Sequence, residues 1–363
     1  MKTYPTILIC PLEWGLGHAG RMAALARRLQ DRGCKIIIGS GKEHRAFFTN
    51  HLPGTGFIDF PGFRPRYSSV FPQYLALLAQ FPLLLFHIAS EHMKLKSLLR
   101  NHPVDIIISD NRFGLWNRSV RSVYVTHQIL IPFPRPFRLT EPLGVLFHRF
   151  FIGKYDLCLI PDLPGAENLS GRLSHGMRMP PDTVYAGIMS RFHVGDDHSP
   201  EPDDEGHHTL ILSGPEPQRS LFRKKAMEAL KERTKKLIVL EGRPLGNGKA
   251  SNTTSTVSHN DLPGTGMQKI IRGSKGIVCR PGYTTIMELV SLGRSALLVP
   301  TPGQTEQEYL AEYLSGRGWF TSVRQKDLDK NCIIPPAKGN WSEALIEESG
   351  RLLEKAVDTI LNQ

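Results

Sequence analysis

Cysteine is scarce and scattered. The 363 residues hold five: Cys10, Cys34, Cys158, Cys279 and Cys332. The number is odd and no two stand as C-x-x-C, so neither a disulfide framework nor a zinc spacing is signalled. Cys10, Cys158 and Cys279 lie inside apolar runs and read as buried thiols, which fits a reducing, cytoplasmic setting. Negative charge is also short. Against 45 Lys and Arg stand 34 Asp and Glu, a formal net charge of +11. That excess favours anionic partners: nucleic acid, phosphorylated substrates or an anionic membrane surface. The basic residues form no block of the nucleic-acid-arm type, so nucleic acid is not expected as a partner. The start, "MKTYPTILIC", lacks the apolar core and cleavage site of a secretory signal. No clean apolar span of about 20 residues exists either. The nearest, residues 70–89, is broken by Pro72, Gln73, Gln80, Pro82 and His87. It reads as a buried or membrane-facing helix that continues through "SEHMKLKSLLR".

What the chain does have is alternation. "TILICPL" is an apolar run ending in a glycine loop. "RMAALARRLQDRG" follows, with Met22, Leu25, Ala26 and Leu29 on one helical face. "CKIIIGS", "VDIIISD", "RSVYVTH", "YDLCLIPD" and "TVYAGIM" are further strands. The acidic stretch 191–208 has no apolar periodicity and reads as a linker or loop, its histidines lacking metal-ligand spacing. The pattern then restarts with "TLILSG", "KKLIVLEG", "KGIVCRPG" and "SALLVP", each followed by a helical or polar segment. "RPLGNGKASNTTS" reads as a polar loop. "LPGTG" occurs twice, at Leu52 and at Leu262, and both copies read as turns. Strands separated by helices predict parallel sheets covered on both faces. The expected fold class is α/β, with two facing Rossmann-like, doubly wound domains and a cleft between them. The expected boundaries are 1–190, a linker at 191–208, 209–340, and a C-terminal helix at 341–363 that packs back on the first domain.

Gly15, Gly17 and Gly20 in "PLEWGLGHAGR" spell G-x-G-x-x-G. A dinucleotide site also wants an acidic residue about 20 residues on, for the ribose. Gly39 and Ser40 stand there, with Lys42 and Arg45 beyond, so only an NADP variant survives. The alternative starts from His18. Gly15 and Gly17 admit close backbone approach, and a helix N-terminus follows. An imidazole there can take a proton from a hydroxyl. Asp110, at the end of "VDIIISD", is a candidate to orient the ring, and Glu13 is a second. The plain alternative for His18 is a loop histidine bonding backbone.

"CRPGYTTIMELVSLGRSALLVPTPGQTEQEYLAEYL", residues 279–314, is the most informative stretch. Gly282, Tyr283, Thr284 and Thr285 put N–H groups and hydroxyls at a helix start, an anion cradle suited to a pyrophosphate. Glu288, one turn in, is a candidate acceptor for ribose hydroxyls; otherwise it is a solvated helix residue. Gln304, Glu306, Gln307 and Glu308 match sugar hydroxyls, or complement the helix dipole. Ser213 and Gly214, at another strand end, are candidate phosphate contacts.

These motifs resemble GT-B glycosyltransferases. The likeness is strongest to family 28, whose members include the peptidoglycan enzymes that add N-acetylglucosamine to a lipid-linked sugar. "GLGHAGR" is similar to that family's glycine loop ending in histidine, and "RPGYTTIMELVSLGRSALLVP" to its nucleotide-sugar signature. The resemblance implies that Glu288 binds ribose, that Gly282 to Thr285 and Ser213 bind the diphosphate, and that Gln307 with Glu308 contacts the sugar. His18 would lie by the acceptor hydroxyl. A Gln-Gln pair in the family is Gln307-Glu308 here, which bears on donor identity. Many retaining relatives carry a glutamate where Arg280 stands, eight positions before Glu288, so the resemblance implies inversion, with Arg280 available to phosphate. No metal or cofactor is expected; a UDP-sugar is the co-substrate, and its uridine rests on the resemblance alone.

The acceptor side falls to the first half. Residues 131–155 interleave Phe133, Phe137, Phe147, Phe150 and Phe151 with Arg135, Arg138, His148, Arg149 and Lys154. Apolar groups beside bases suit an anionic bilayer surface, or a core-packing helix with snorkelling bases. The expectation is a sugar transferase acting on a glycan or lipid-linked acceptor, docked on the inner face of the cytoplasmic membrane. Two alternatives stay open: a nucleotide-sugar 2-epimerase on the same fold, and an NADP-binding oxidoreductase or sensor.

Overall fold

The computed structural model describes residues 4–64, 79–192, 206–231, 234–246, 253 and 255–362, without the side chains of 135 and 136. The chain divides into two compact units: Met1–Met189 with Glu347–Gln363, and Ser190–Ile346.

The first unit is built on seven parallel strands. They are β1 (Thr6–Cys10), β2 (Lys35–Ser40), β3 (Gly56–Asp59), β4 (Ile106–Asp110), β5 (Arg121–Val125), β6 (Leu157–Ile160) and β7 (Thr183–Tyr185). Their order is β3-β2-β1-β4-β5-β6-β7. The central strands are buried on both faces, so β4 and β6 show no exposed residue. That is why they read as unbroken apolar runs. Helix α1 (Leu16–Asp31) buries Met22, Leu25, Ala26 and Leu29 completely, the face its spacing predicts. Helices α2 (Lys42–His51), α3 (Phe81–Asn101) and α4 (Glu141–Ile152) follow, the last after a 3-10 segment at Arg135–Thr140. Part of the 70–89 stretch lies outside the described residues. From Phe81 on it is α3, which buries Ile88, Glu91 and Leu95 but exposes Leu83, Leu85 and Phe86. No described helix is long and apolar enough to cross a membrane.

The second unit has six parallel strands: β8 (His207–Ile211), β9 (Leu237–Leu240), β10 (Thr256–His259), β11 (Ser274–Cys279), β12 (Leu297–Leu298) and β13 (Thr321–Ser322). Their order is β10-β9-β8-β11-β12-β13. Helices α5 (Gln218–Leu230), α6 (Gly264–Arg272), α7 (Tyr283–Ser291) and α8 (Thr305–Gly316) connect them. One face is packed by Leu210, Leu212, Phe222, Val239, Val278 and Val299. Most of the acidic stretch lies outside the described residues; its last two positions, His207 and His208, open β8. The LPGTG at Leu262 is no turn. Its Gly264 begins α6.

Helix α9 (Glu343–Leu361) ends the chain, and its residues from Glu347 on belong to the first unit. Arg32 pairs with Glu354 at 2.8 Å and also with Asp358, while Arg121 donates to the Thr359 carbonyl at 2.9 Å. Backbone contact is tight here. A Cβ on Gly187 would fall 2.3 Å from the Ser349 carbonyl oxygen, so only glycine fits.

Candidate functional site

In open parallel sheets, ligands bind beyond the carboxyl ends of the strands, where the strand order reverses. The first sheet reverses between β1 and β4. The loop after β1 turns into α1 at Gly15, whose φ of +139° is a conformation other residues rarely adopt. One turn on, His18 Nδ1 lies 2.8 Å from Oδ2 of Asp110, the last residue of β4. Sequence reasoning brought these two together, and they do meet. It missed the residues around them. Arg21 is fully buried and donates from Nε to both Asp110 oxygens at 3.1 Å. Its Nη2 also bonds Asp110 Oδ1 and lies 2.9 Å from His18 Nδ1, and its Nη1 lies 2.9 Å from His127 Nδ1. The spacing of His18 and Arg21, three apart on a helix, could have revealed the first of these. His127, two residues past β5, stands at the next strand end.

Burial alone would raise the Asp110 carboxyl, but Arg21 and then His18 overcome it and hold its pKa at about 2. Burial lowers the His18 pKa, Arg21 lowers it further, and Asp110 opposes without cancelling. Burial likewise takes His44, whose Nε2 lies 3.2 Å from the Gly15 carbonyl, down to about 4. The site therefore holds an anionic carboxylate and, at His18 and His44, neutral imidazoles at pH 7. His18 keeps 18 % side-chain exposure, and both of its polar contacts fall on Nδ1. Nε2 carries neither contact. Glu13 plays no part in orienting the ring. Its carboxylate accepts from the Gly41 backbone and from Arg64 Nε at 2.7 Å, which ties the loop after β1 to α2. Gly17 is not a loop residue either, since α1 begins at Leu16.

The second sheet reverses between β8 and β11. The two segments beyond those strand ends carry Ser213-Gly214 and Arg280-Pro281-Gly282. Gly214 has φ +92°, with open space where a Cβ would be. Gly282 is the N-cap of α7 and makes no side-chain cap, so the first turn of Tyr283, Thr284 and Thr285 presents a helix N-terminus to the crevice. The neighbouring start of α5 is covered by its own carboxylate, because Glu216 Oε2 accepts from Ser220 N at 3.1 Å.

Glu288, buried in α7, receives Arg191 Nε at 2.7 Å on Oε1. Arg191 also reaches Met267 Sδ at 3.0 Å and lies over the Phe192 ring. No sequence signal pairs residues 97 positions apart. Arg280 is a correction. Its guanidinium is buried, donates to the Val299 carbonyl at 2.8 Å and to Gln325 Oε1 at 2.5 Å, and stacks on Phe222 at 4.2 Å. With those partners it holds sheet to helix and does not aim at a phosphate. Gln304 caps α8 by accepting from Gln307 N. Gln307 Oε1 accepts from Thr301 N at 2.9 Å, and Glu308 Oε1 from Gly303 N at 2.9 Å. These bonds rigidify the turn and engage one side-chain oxygen each of Gln307 and Glu308. The chain's Asp-x-Asp, Asp327-Leu328-Asp329, is spent locally. Asp327 pairs with Arg324, Leu328 enters the core and Asp329 accepts from Asn331 N. Among the described residues no three His, Cys, Asp or Glu cluster as metal ligands do.

Residues 245–334 match the glycosyltransferase family 28 C-terminal domain. A UDP-N-acetylglucosamine--N-acetylmuramyl-(pentapeptide) pyrophosphoryl-undecaprenol N-acetylglucosamine transferase of Desulforudis audaxviator is 33% identical over 94 residues, 24% of this chain. The chain matches only a quarter of that relative's length, 25%. An uncharacterized glycosyltransferase of Methanosarcina acetivorans is 23% identical over 84% of this chain and 82% of its own. Among solved structures, Arabidopsis thaliana UGT89C1 complexed with UDP-L-rhamnose superposes with a TM-score of 0.62 over the whole of both chains, 100% of each, at 12% identity. The fold is that of the GT-B glycosyltransferases, and its second sheet unit is similar to the C-terminal domain of glycosyltransferase family 28.

Proposed function

We propose that the chain is an inverting glycosyltransferase that moves a sugar from a UDP-sugar to a hydroxyl of a lipid-linked glycan. The observation that carries this reading is the His18–Asp110 pair at the reversal of the first sheet, with Nε2 of His18 left to face an acceptor. The acceptor hydroxyl gives its proton to Nε2 as its oxygen attacks the anomeric carbon. The bond from that carbon to the diphosphate breaks, and the electron pair leaves with the phosphate oxygen. The N–H groups at the start of α7 and the hydroxyls of Thr284 and Thr285 meet the developing charge, with no metal required. Glu288 Oε2 accepts from the ribose while Arg191 holds Oε1.

The first unit supports an amphiphilic acceptor. A pocket of about 1000 Å³ is walled by Leu130, Leu139, Val145, Leu146 and Met177, and Arg138, Arg149 and Arg172 stand around it. Leu139, Leu143, Leu146 and Phe150 are strongly exposed, and Lys154 Nζ lies 4.6 Å from the Phe150 ring centre. The Phe81 and Phe147 rings, 5.4 Å apart, join this surface to the exposed face of α3. Apolar groups beside cations fit the cytoplasmic face of an anionic bilayer.

The test is UDP release from UDP-sugars with and without a prenyl-diphosphate-linked glycan. Release only with the acceptor supports transfer; turnover without it means an epimerase. UDP at a hundredfold excess over Kd should stabilise the protein by about 2.7 kcal/mol. Stabilisation by NADPH and not by UDP would overturn the reading.

A further inference from the structure

Arg21 is a large charged side chain with only 1 % of its surface exposed, and the transfer reading gives it no task. We propose that Arg21 is the positioning residue of the His18–Asp110 pair: it shares Asp110 with His18 and pins His127, so that the His18 ring turns Nδ1–H to Asp110 and leaves Nε2 as the nitrogen that accepts the proton. The inference rests on the transfer reading for its purpose but stands on its own contacts.

A guanidinium only donates hydrogen bonds. Its contact with His127 Nδ1 at 2.9 Å makes that nitrogen an acceptor and places the His127 proton on Nε2. Its Nε and Nη2 hydrogens cover both oxygens of Asp110. With Nη2 engaged there, His18 Nδ1 gives its hydrogen to Asp110 Oδ2 at 2.8 Å, and the 2.9 Å approach of Nη2 to that nitrogen is a contact between two donors rather than a hydrogen bond. The carboxylate that His18 meets is thus already paired with a cation. A bare buried carboxylate would stabilise an imidazolium and keep the proton after transfer. The shared carboxylate orients the ring through Nδ1–H without holding the second proton, which leaves from Nε2 to water once product departs. Two other groups stand near the ring, His127 beyond β5 and His44 on α2, and both are buried. The charge next to Nδ1 therefore comes from Asp110 and Arg21. Burial and Arg21 together hold the His18 pKa below the ordinary histidine value, against Asp110.

The experiment follows each histidine by proton–carbon NMR through a pH titration of the full chain, in the parent and in R21M, R21K and R21M/D110N. R21M is expected to raise the His18 midpoint by about one unit or more. The acid limb of kcat/KM should move the same way, with KM for the UDP-sugar unchanged. R21K keeps the charge but not the fork, so His18 should titrate as in the parent. R21M/D110N removes both charges and should return the His18 midpoint downward. The proposal is overturned if R21M leaves His18 within about 0.3 unit of the parent, or if R21K shifts it as far as R21M. Should R21M not fold, R21K and the double variant decide, because a His18 midpoint raised by about one unit in either contradicts the proposal. Absence of transfer with every donor would sink the transfer reading and leave these titrations untouched.

Discussion

The two sheets reverse strand order in the same way and fill the resulting crevice differently. At the β1/β4 reversal the protein supplies charge of its own, with Asp110 and Arg21 buried and His18 partly exposed. At the β8/β11 reversal it supplies backbone donors and hydroxyls at a helix start, and the large cation nearby, Arg280, is turned into the core. On the proposed transfer, one crevice moves a proton and the other receives an anion. A shared topology fixes where a site lies and leaves its chemistry to a few side chains.

The largest test of this division is His18→Ala. It should cut kcat by about 10²–10⁴-fold, the usual worth of a general base, and leave UDP affinity unchanged. Loss of UDP affinity in that variant would erase the contrast between the crevices. Next is acid. His148 is buried and neutral, its pKa brought down by burial to about 4, and His44 behaves alike. The unfolded chain binds their protons first, so stability is full above about pH 6.5 and falls as pH drops toward 4. Each buried histidine contributes on the order of 3 kcal/mol at neutral pH. Both lie in the first unit, so chemical denaturation at pH 4.5 should show that unit weakened before the second. Then comes Glu288→Ala. It removes a charged acceptor and should weaken UDP binding by about ten- to a hundredfold by calorimetry, with the acceptor dependence of kcat retained. The smallest change in stability belongs to Leu146→Glu, within about 0.5 kcal/mol because the side chain is exposed. It should nonetheless abolish co-sedimentation with anionic vesicles at low salt, and unchanged sedimentation would refute membrane docking through α4.

Much of the fold was legible because central parallel strands are apolar on both faces. The segments that escaped are sheet edges. Strands β3, β10 and β13 stand at the margins and carry mixed or exposed residues, so GFID, TVSH and TS leave no apolar run to read. The candidate site was legible where a residue's role follows from its position at a strand end, as with His18 and Asp110. It was not where an arginine's long side chain decides. Arg21 lies on α1 and could pass for a surface base, yet it is buried on Asp110. Arg280 stands at a strand end and looked suited to phosphate, yet it lies back over Phe222. Sequence position locates a Cα, while a guanidinium reaches several ångströms beyond it.

The helix that completes the first unit also dictates a schedule. Arg32 and its partner Asp358 are 326 residues apart, with the whole second unit between them. At about 5–20 residues per second of synthesis, the first sheet, complete at Tyr185, waits about 8–32 seconds for the start of its last helix at Glu343. The second unit, contiguous in sequence, is free to fold within that interval. In a cell the later-made half can thus finish first, while the earlier-made half spends the delay without the partners that Arg32, Arg121 and Gly187 find in α9.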